Sequence, residues 1–420
     1  MKAFCHFTFF LSPFLALGIL YFLYVRLLRV KLRWQALVFA LLAAAVGKSL
    51  WFRLFGGNMF YPDIASEVVV DAIGCAYSFA MLLAGLALVP PYRWCGRGVV
   101  LPVVALLLMV WGSYEALRVP DVVRHEVVLP SLPRSFDGLR VAQISDIHCS
   151  PAARRHYVAD IVETVNALKP DLVCITGDFV DGPPSLRYDD LAPLKGLKAP
   201  LGVLGCTGNH EFYSNYALWR PIFESWGIRM LDNAHVAITN SGDVLVVGGV
   251  LDKTGTQYRE FDGKSRNWSG GDPVGALPED LEMPEFACFD APDPAVAFSN
   301  APPSTCRILL QHRPINLLTN SLNGVNLQLS GHTHGAPLWG TGPLIAAMNE
   351  GHVAGFYREG ALSLYVTPGA GQWVGFPIRL GVSSEIALLT LRNSRAPRHG
   401  RASKEKVVRP FSDVQERDAP

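Results

Sequence analysis

Apolar residues are distributed along this chain in two ways. Before Tyr114 they form long blocks; beyond it they come in short runs, each closed by glycine or polar residues. The long blocks are Ala3–Val25, Trp34–Phe52, Ala72–Tyr92 and Gly98–Tyr114. Each approaches the ~17–25 residues that a helix needs to cross a hydrocarbon core. None has the polar stripe of a helix packed in a soluble bundle, and a cleaved signal peptide would account for the first alone. Residues 1–117 are thus expected to be a transmembrane region of four helices.

The short runs predict a different architecture. Residues 118–137 contain prolines and charges and read as a connector that lifts the next domain off the membrane. Gly138–Ser145, Leu172–Thr176, Leu201–Cys206, Arg307–Leu310 and Val325–Leu329 read as strands entering a core. Between the first two, Val158, Ile161, Val162, Val165 and Leu168 recur at helical spacing and stop at Pro170. Val236–Thr239 and Val244–Val250 flank an Asn-Ser-Gly-Asp turn as a hairpin, and Leu362–Val366 and Ile386–Leu391 are two closing strands. Alternation stops between about 251 and 304, an insertion of the kind that serves as a lid or stays unstructured. The tail, 393–420, is polar and basic and is expected to be disordered. Strands alternating with helices, with polar residues at strand ends, predict an α/β domain over 138–392 whose site lies at the strands' carboxyl ends. No GxGxxG opens a helix, so nucleotide binding of the Rossmann kind has no support.

Composition sharpens this division. Of 420 residues only 17% are charged and half are hydrophobic, an excess that sits almost wholly before Tyr114. The formal net charge is +1, which gives no electrostatic basis for a nucleic-acid partner. Arg26, Arg29, Lys31 and Arg33 follow the first block, and Arg93 and Arg97 lie between the third and fourth. The positive-inside rule makes that side cytoplasmic, so the region after the fourth block faces the periplasm or cell exterior. Five cysteines lie outside the apolar third. An odd number without CxxC spacing does not suit a disulfide framework or a zinc finger, although Cys288 and Cys306 are placed to pair across the insertion.

The polar residues at the strand ends carry the chemistry. Five segments follow five apolar runs: Asp146-Ile-His148, Gly177-Asp178-Phe-Val-Asp181, Gly208-Asn209-His210-Glu211, Gln311-His312-Arg-Pro314 and Gly331-His332-Thr-His334. Each alone reads equally well as a turn, a cap or a surface histidine. Their recurrence in order does not. Asp146, His148, Asp178, Asn209, His312, His332 and His334 form a mixed nitrogen and oxygen set without thiolates, which favours zinc, iron or manganese. Seven donors are too many for one tetrahedral ion and suit two, with a carboxylate such as Asp178 shared between them. His6, His125, His156, His235, His352 and His399 lack such company and read as surface or structural residues.

The series D-x-H, G-D-x-x-D, G-N-H-E, a later H and G-H-x-H resembles the calcineurin-like metallophosphoesterase superfamily over roughly Leu139–Leu391. Lys169–Gly182 and Gly369–Arg379 resemble its membrane-attached bacterial phosphodiesterase branch. The resemblance implies a four-layer α/β/β/α sandwich and two divalent ions (Mn, Fe or Zn). Asp146, His148 and His334 would hold the first ion, Asn209, His312 and His332 the second, with Asp178 bridging. His210 would be the general acid, and Asp181 and Glu211 would orient the ligands. The implied reaction is hydrolysis of a phosphomonoester or phosphodiester: a hydroxide shared by the ions attacks phosphorus, and His210 protonates the leaving oxygen. Ala336-Pro337 stands where relatives commonly have Gly-Gln, which reshapes the pocket rim. A lipid-linked or envelope phosphoester suits a multi-pass membrane protein with an extracytoplasmic catalytic domain. One relative of the branch cleaves the pyrophosphate of a UDP-2,3-diacylglucosamine, which would need the opposite, cytoplasmic placement. A membrane sensor or transporter that only binds a phosphorylated ligand is the third reading, and has no use for His210.

Overall fold

Twelve strands form two six-stranded sheets in the computed structural model, which describes residues 97–394 except 151, 257–289, 305 and 373–377. In chain order the strands are β1 (Asp121–Val128), β2 (Arg140–Ile144), β3 (Leu172–Thr176), β4 (Val203–Cys206), β5 (Ile228–Met230), β6 (Ala234–Asn240), β7 (Asp243–Gly249), β8 (Cys306–Leu310), β9 (Leu327–Ser330), β10 (Gly355–Glu359), β11 (Leu362–Val366) and β12 (Glu385–Arg392). The first sheet runs β1-β12-β2-β3-β4-β5, the second β10-β11-β9-β8-β7-β6. Within them β2, β3, β4 and β5 are mutually parallel, as are β7, β8, β9 and β11. Parallel neighbours end at one edge, so the polar segments after β2, β3 and β4 emerge together, as do those after β8 and β9.

Period-two alternation then seals three layers of core. Val141, Leu172, Cys174, Leu204 and Leu389 point inward from the first sheet and meet Leu245, Val247, Ile308, Leu310 and Leu329 of the second. Each fully buried Leu or Val in that seam contributes about 1.5–3 kcal/mol. The opposite face of the first sheet, with Ala142, Ile144, Val173 and Ile175, is covered by helices α2 (Arg155–Ala167) and α5 (Tyr216–Ser225). Tyr157, Val158, Ile161, Val162 and Val165 supply the buried face of α2, and its chain leaves the helix at Lys169, which adopts a φ of 50° before Pro170. Beyond the second sheet, α6 (Pro294–Ala297) and α7 (Leu317–Leu322) cover Val246, Leu309 and Leu364. The remaining helices are α1 (Arg97–Leu117), α3 (Pro184–Leu191), α4 (Asn209–Tyr213) and α8 (Gly342–Met348). The order of layers is helix, sheet, sheet, helix.

Several expectations change. The stretch read as a connector supplies β1, which pairs with β12 in parallel over its whole length, so 121–128 belongs to the sheet. Its Arg124, His125 and Glu126 suit an edge strand, where one side faces water. Three of the predicted spans (Ala3–Val25, Trp34–Phe52 and Ala72–Tyr92) and the tail lie outside the described residues. Where the fourth was expected, α1 packs Gly112 against Ile378 and Leu380, and Gly112 O accepts from Arg379 N–H at 2.8 Å. Among the described residues no helix is long and apolar enough to cross a membrane, so the four-helix region is not borne out. Of the insertion only 251–256, which lead directly out of β7, and 290–304 are described. Cys306 is a buried free thiol, as are Cys149, Cys174 and Cys206; Cys288, expected to pair with Cys306, lies outside the described residues.

Candidate metal centre

All five strand-end segments meet at one edge of the sandwich. The chain there adopts conformations that side chains avoid. Five of the twelve described non-glycine residues with positive φ are Asp146, His148, Asp178, His332 and His334. Such backbone costs of order 1–3 kcal/mol per residue and persists only where the surroundings enforce it. Glycines clear the space. A methyl group on Gly331 would overlap Ser145 Oγ and Asp146 Oδ2, and one on Gly208 would overlap Asp178.

Two groups of donors result. In the first, His148 Nε2 lies 3.2 Å from His334 Nε2, and Asp146 Oδ1 lies 3.5 Å from His334 Nε2 and 3.9 Å from His148 Nε2. In the second, His312 Nε2 lies 3.1 Å from Asp178 Oδ2 and 3.2 Å from His332 Nδ1. Within each group one donor atom from every residue falls within 4.8 Å of the others. Asp178 Oδ2 is also 3.6 Å from His148 Nε2, so one carboxylate oxygen stands between the groups. Asn209 Oδ1 is buried without a hydrogen-bond partner, as suits an oxygen reserved for a cation. The donors fit divalent ions.

The surrounding hydrogen bonds decide which imidazole nitrogen faces inward. Thr176 O can only accept, so His312 Nδ1–H donates to it at 2.7 Å and Nε2 is turned to Asp178. Asp181 Oδ1 accepts from His148 Nδ1 at 3.0 Å and from His210 Nδ1 at 2.6 Å. Glu211 accepts from the N–H groups of Gly208, Asp178 and Phe179 at 2.6, 2.9 and 2.7 Å, tying the β3 and β4 loops together. The His210 N–H in turn donates to Asp178 Oδ1 at 2.8 Å.

Charge at the centre is strongly coupled to burial. Burial opposes ionisation of Asp178, but the His312, His210 and His148 imidazoles outweigh it and hold the carboxyl well below its usual range. For Asp146 burial wins and the pKa rises. Burial likewise disfavours a proton on His312 and His210, yet Asp178 with Asp146 lifts the first to about 10, and Asp178 with Asp181 lifts the second to about 9. His332 and His334 go the other way: burial, then Arg313 for His332 and His148 for His334, holds both well below the imidazole range. Burial beside Asp178 raises Glu211 to about 7. The field that raises His312 is a field that attracts cations.

The structure brings together all ten residues singled out in the sequence. It adds three that were not. Arg379 is fully buried and donates to the carbonyls of Pro368, Gly371 and His334 at 2.8, 2.7 and 3.3 Å, organising the loop behind the first group. Burial lowers its pKa to about 10. Arg313 touches His332, and the buried Asp252 holds Arg313. A signal for Asp252 existed, since it follows the apolar end of β7 as the other site residues follow their strands.

The family signature described as Calcineurin-like phosphoesterase matches residues 139–336, which carry all of these donors. A Danio rerio protein named "Transmembrane protein with metallophosphoesterase domain" is 31% identical over 297 residues, 70% of this chain and 62% of that one. This chain thus spans less than two thirds of that relative's length. An uncharacterized metallophosphoesterase of Helicobacter pylori is 31% identical over 291 residues, 68% of each chain. Among solved structures, a 5'-nucleotidase precursor from Thermus thermophilus is similar at 15% identity and a TM-score of 0.32, over 60% of this chain and 54% of that one. With the family's segments converging at one edge of the sandwich and a relative of this identity matched over two thirds of its length, the chain belongs to the calcineurin-like metallophosphoesterases.

Proposed function

We propose that this protein hydrolyses phosphoester bonds with two divalent ions. Asp146, His148 and His334 would hold one, Asn209, His312 and His332 the other, and Asp178 would serve both. The observation that carries this reading is the position of Asp178 Oδ2, 3.1 Å from His312 Nε2 and 3.6 Å from His148 Nε2. Ions so placed supply Lewis-acid stabilisation of the phosphoryl oxygens and an activated water. The chain supplies the rest. Asp181 fixes His210 through Nδ1, which leaves Nε2 to carry a proton toward the departing oxygen. Asp181 also turns His148 Nε2 inward, and Glu211 locks the two loops that carry Asp178 and Asn209. Asp178→Ala in the full-length protein tests this. Hydrolysis of a nitrophenyl phosphodiester with Mn²⁺ should vanish along with bound metal, and normal turnover by the variant would refute the assignment. A receptor that only binds phosphorylated ligands is distinguished by the absence of any turnover in the wild type.

The membrane reading rests on a separate observation. Val103, Leu106, Leu107, Val110, Trp111 and Tyr114 are exposed at three- and four-residue spacing along α1. They form an apolar stripe directed away from the face that carries Gly112. The exposed Trp339 lies against Gly381, in the same strand-free segment that packs on Gly112. We propose from this stripe that α1 lies against a membrane and, from the apolar blocks and basic clusters that precede it, that the domain at 138–392 is held on the extracytoplasmic side, acting on a lipid-linked or envelope phosphoester. A carboxyl-terminal reporter active only in the cytoplasm checks the side. Activity there would favour a UDP-2,3-diacylglucosamine-type substrate instead.

A further inference from the structure

Arg313 follows the metal-site residue His312 and is the cation at the mouth of the second donor group. Its Nε donates to Asp252 Oδ2 at 2.7 Å, its Nη2 to Thr254 Oγ1 at 3.4 Å, and its Nη1 lies 2.8 Å from His332 Nε2. Asp252 is almost fully buried and is itself positioned by its own N–H, which donates to Thr207 Oγ1 at 2.8 Å. Thr207 immediately precedes the Gly208-Asn209-His210 segment. Among the residues of the centre His332 and Arg313 alone are half-buried rather than buried, so a substrate approaching the second group from solvent passes them.

The contact between Arg313 and His332 cannot survive metal loading. A guanidinium has five donors and no acceptor. It meets His332 Nε2 only while that nitrogen offers a lone pair. His332 Nδ1, 3.2 Å from His312 Nε2, is the nitrogen that shares the pocket with Asp178. When Nδ1 gives its lone pair to an ion, the ring proton resides on Nε2. Two N–H groups then face each other at hydrogen-bond range, and no bond remains between them. Nη1 is released, while Nε stays anchored on Asp252. A guanidinium held through Nε by Asp252 and through Nη2 by Thr254, with Nη1 freed at the solvent-facing mouth, can donate to a phosphoryl oxygen.

We propose that Arg313 is the substrate-binding arginine of this centre: it exchanges His332 for a non-bridging oxygen of the bound phosphoester. Asp252 is its positioning residue. The proposal rests on the two-ion phosphoesterase reading and names the anchor of its phosphoryl group.

Full-length protein in detergent micelles, loaded with Mn²⁺, tests it by calorimetric titration with inorganic phosphate. Metal content is measured on the same samples. Arg313→Ala should weaken phosphate binding about 10–100-fold with metal content unchanged, and raise KM more than it lowers kcat. Arg313→Lys should recover part of the loss, because a point charge replaces the fork. Asp252→Asn should give a smaller loss that disappears in the Arg313→Ala background, since it acts only through Arg313. Phosphate affinity within about twofold of wild type in Arg313→Ala would overturn the proposal. So would a loss that tracks loss of metal, which would make Arg313 a support for His332 alone. Wild-type protein that binds neither metal nor phosphate would instead sink the phosphoesterase reading, and the proposal with it.

Discussion

The two sheets bring different chemistry to the centre. From the first come the carboxylates of both donor groups, the amide of Asn209 and the imidazoles of His148 and His210; from the second come His312, His332 and His334, with Arg313 and Asp252 beside them. Both donor groups are composite. Asp146 and His148 need His334, and Asp178 needs His312 and His332. A third cluster, His148, Asp181 and His210, comes wholly from the first sheet, and it is the one assigned to orientation and proton donation. The comparison teaches that the two donor groups are a property of the packed pair of sheets, whereas the His148, Asp181 and His210 cluster is built into one of them. The Leu and Val seam between the sheets is therefore as much a requirement for the centre as the donors themselves.

The first way to break the comparison is to remove Asp178, the carboxylate proposed to serve both groups. Asp178→Ala should lower turnover by about a thousandfold or more and remove both ions. His334→Ala should strip the first group selectively, and metal counting by atomic spectroscopy separates these outcomes. Equal metal loss in both variants would mean the groups are not separable.

A milder challenge is steric. Gly331 belongs to the second sheet's loop yet lies against Ser145 and Asp146 of the first. Gly331→Ala should push the two sheets' loops apart at a cost of about 1–3 kcal/mol, visible as a lower melting temperature together with reduced metal affinity. Gly202, which has no neighbour at that range, provides a control position for added bulk, although its φ of 101° adds backbone strain of its own.

Asp181→Asn probes the first sheet alone. It should retain the ions but lose about 10–100-fold in rate, and weaken the proton-donor limb of the pH profile. Asp181 and His210 are coupled through a 2.6 Å hydrogen bond, so His210→Ala should add little in the Asp181→Asn background.

The smallest expected effect concerns Glu385, on β12, which accepts from Tyr365 Oη and Thr367 Oγ1 between the sheets. Burial raises its pKa. A carboxyl whose folded pKa exceeds the unfolded value contributes its full stability below the unfolded pKa and loses it as pH rises through the folded one. Glu385→Gln should therefore unfold with less dependence on pH in the weakly acidic range, and gain relative to wild type above it. Melting curves from acid to neutral pH check the sign.

Legibility followed burial. β2, β3, β8 and β9 are central and covered on both faces, so their runs are continuously apolar and stand out in the sequence. β1 and β10 are edges whose Arg124, Glu126, Arg358 and Glu359 face water, and charged edge strands look like loops. β5 has only three residues and no pattern to read. The fourth apolar block was correctly seen as helical, but period alone does not tell whether a glycine such as Gly112 faces lipid or a protein neighbour. Arg313-Pro314 looked like a loop, because nothing local reports that Asp252, far earlier in the chain, will meet it.

What the sequence determined by itself was local: where strands end, and which donors stand at those ends. Hydrophobic runs and the residues that stop them are short-range features, and the family's five segments preserve them in order. Tertiary structure alone decided that Asp178 Oδ2 would lie between His148 and His312, that Asp181 would serve two imidazoles, and that Arg313 would be clamped by Asp252. Those relations join residues far apart in the chain, and each exists because a buried charge or donor must find a partner once the sheets close over it.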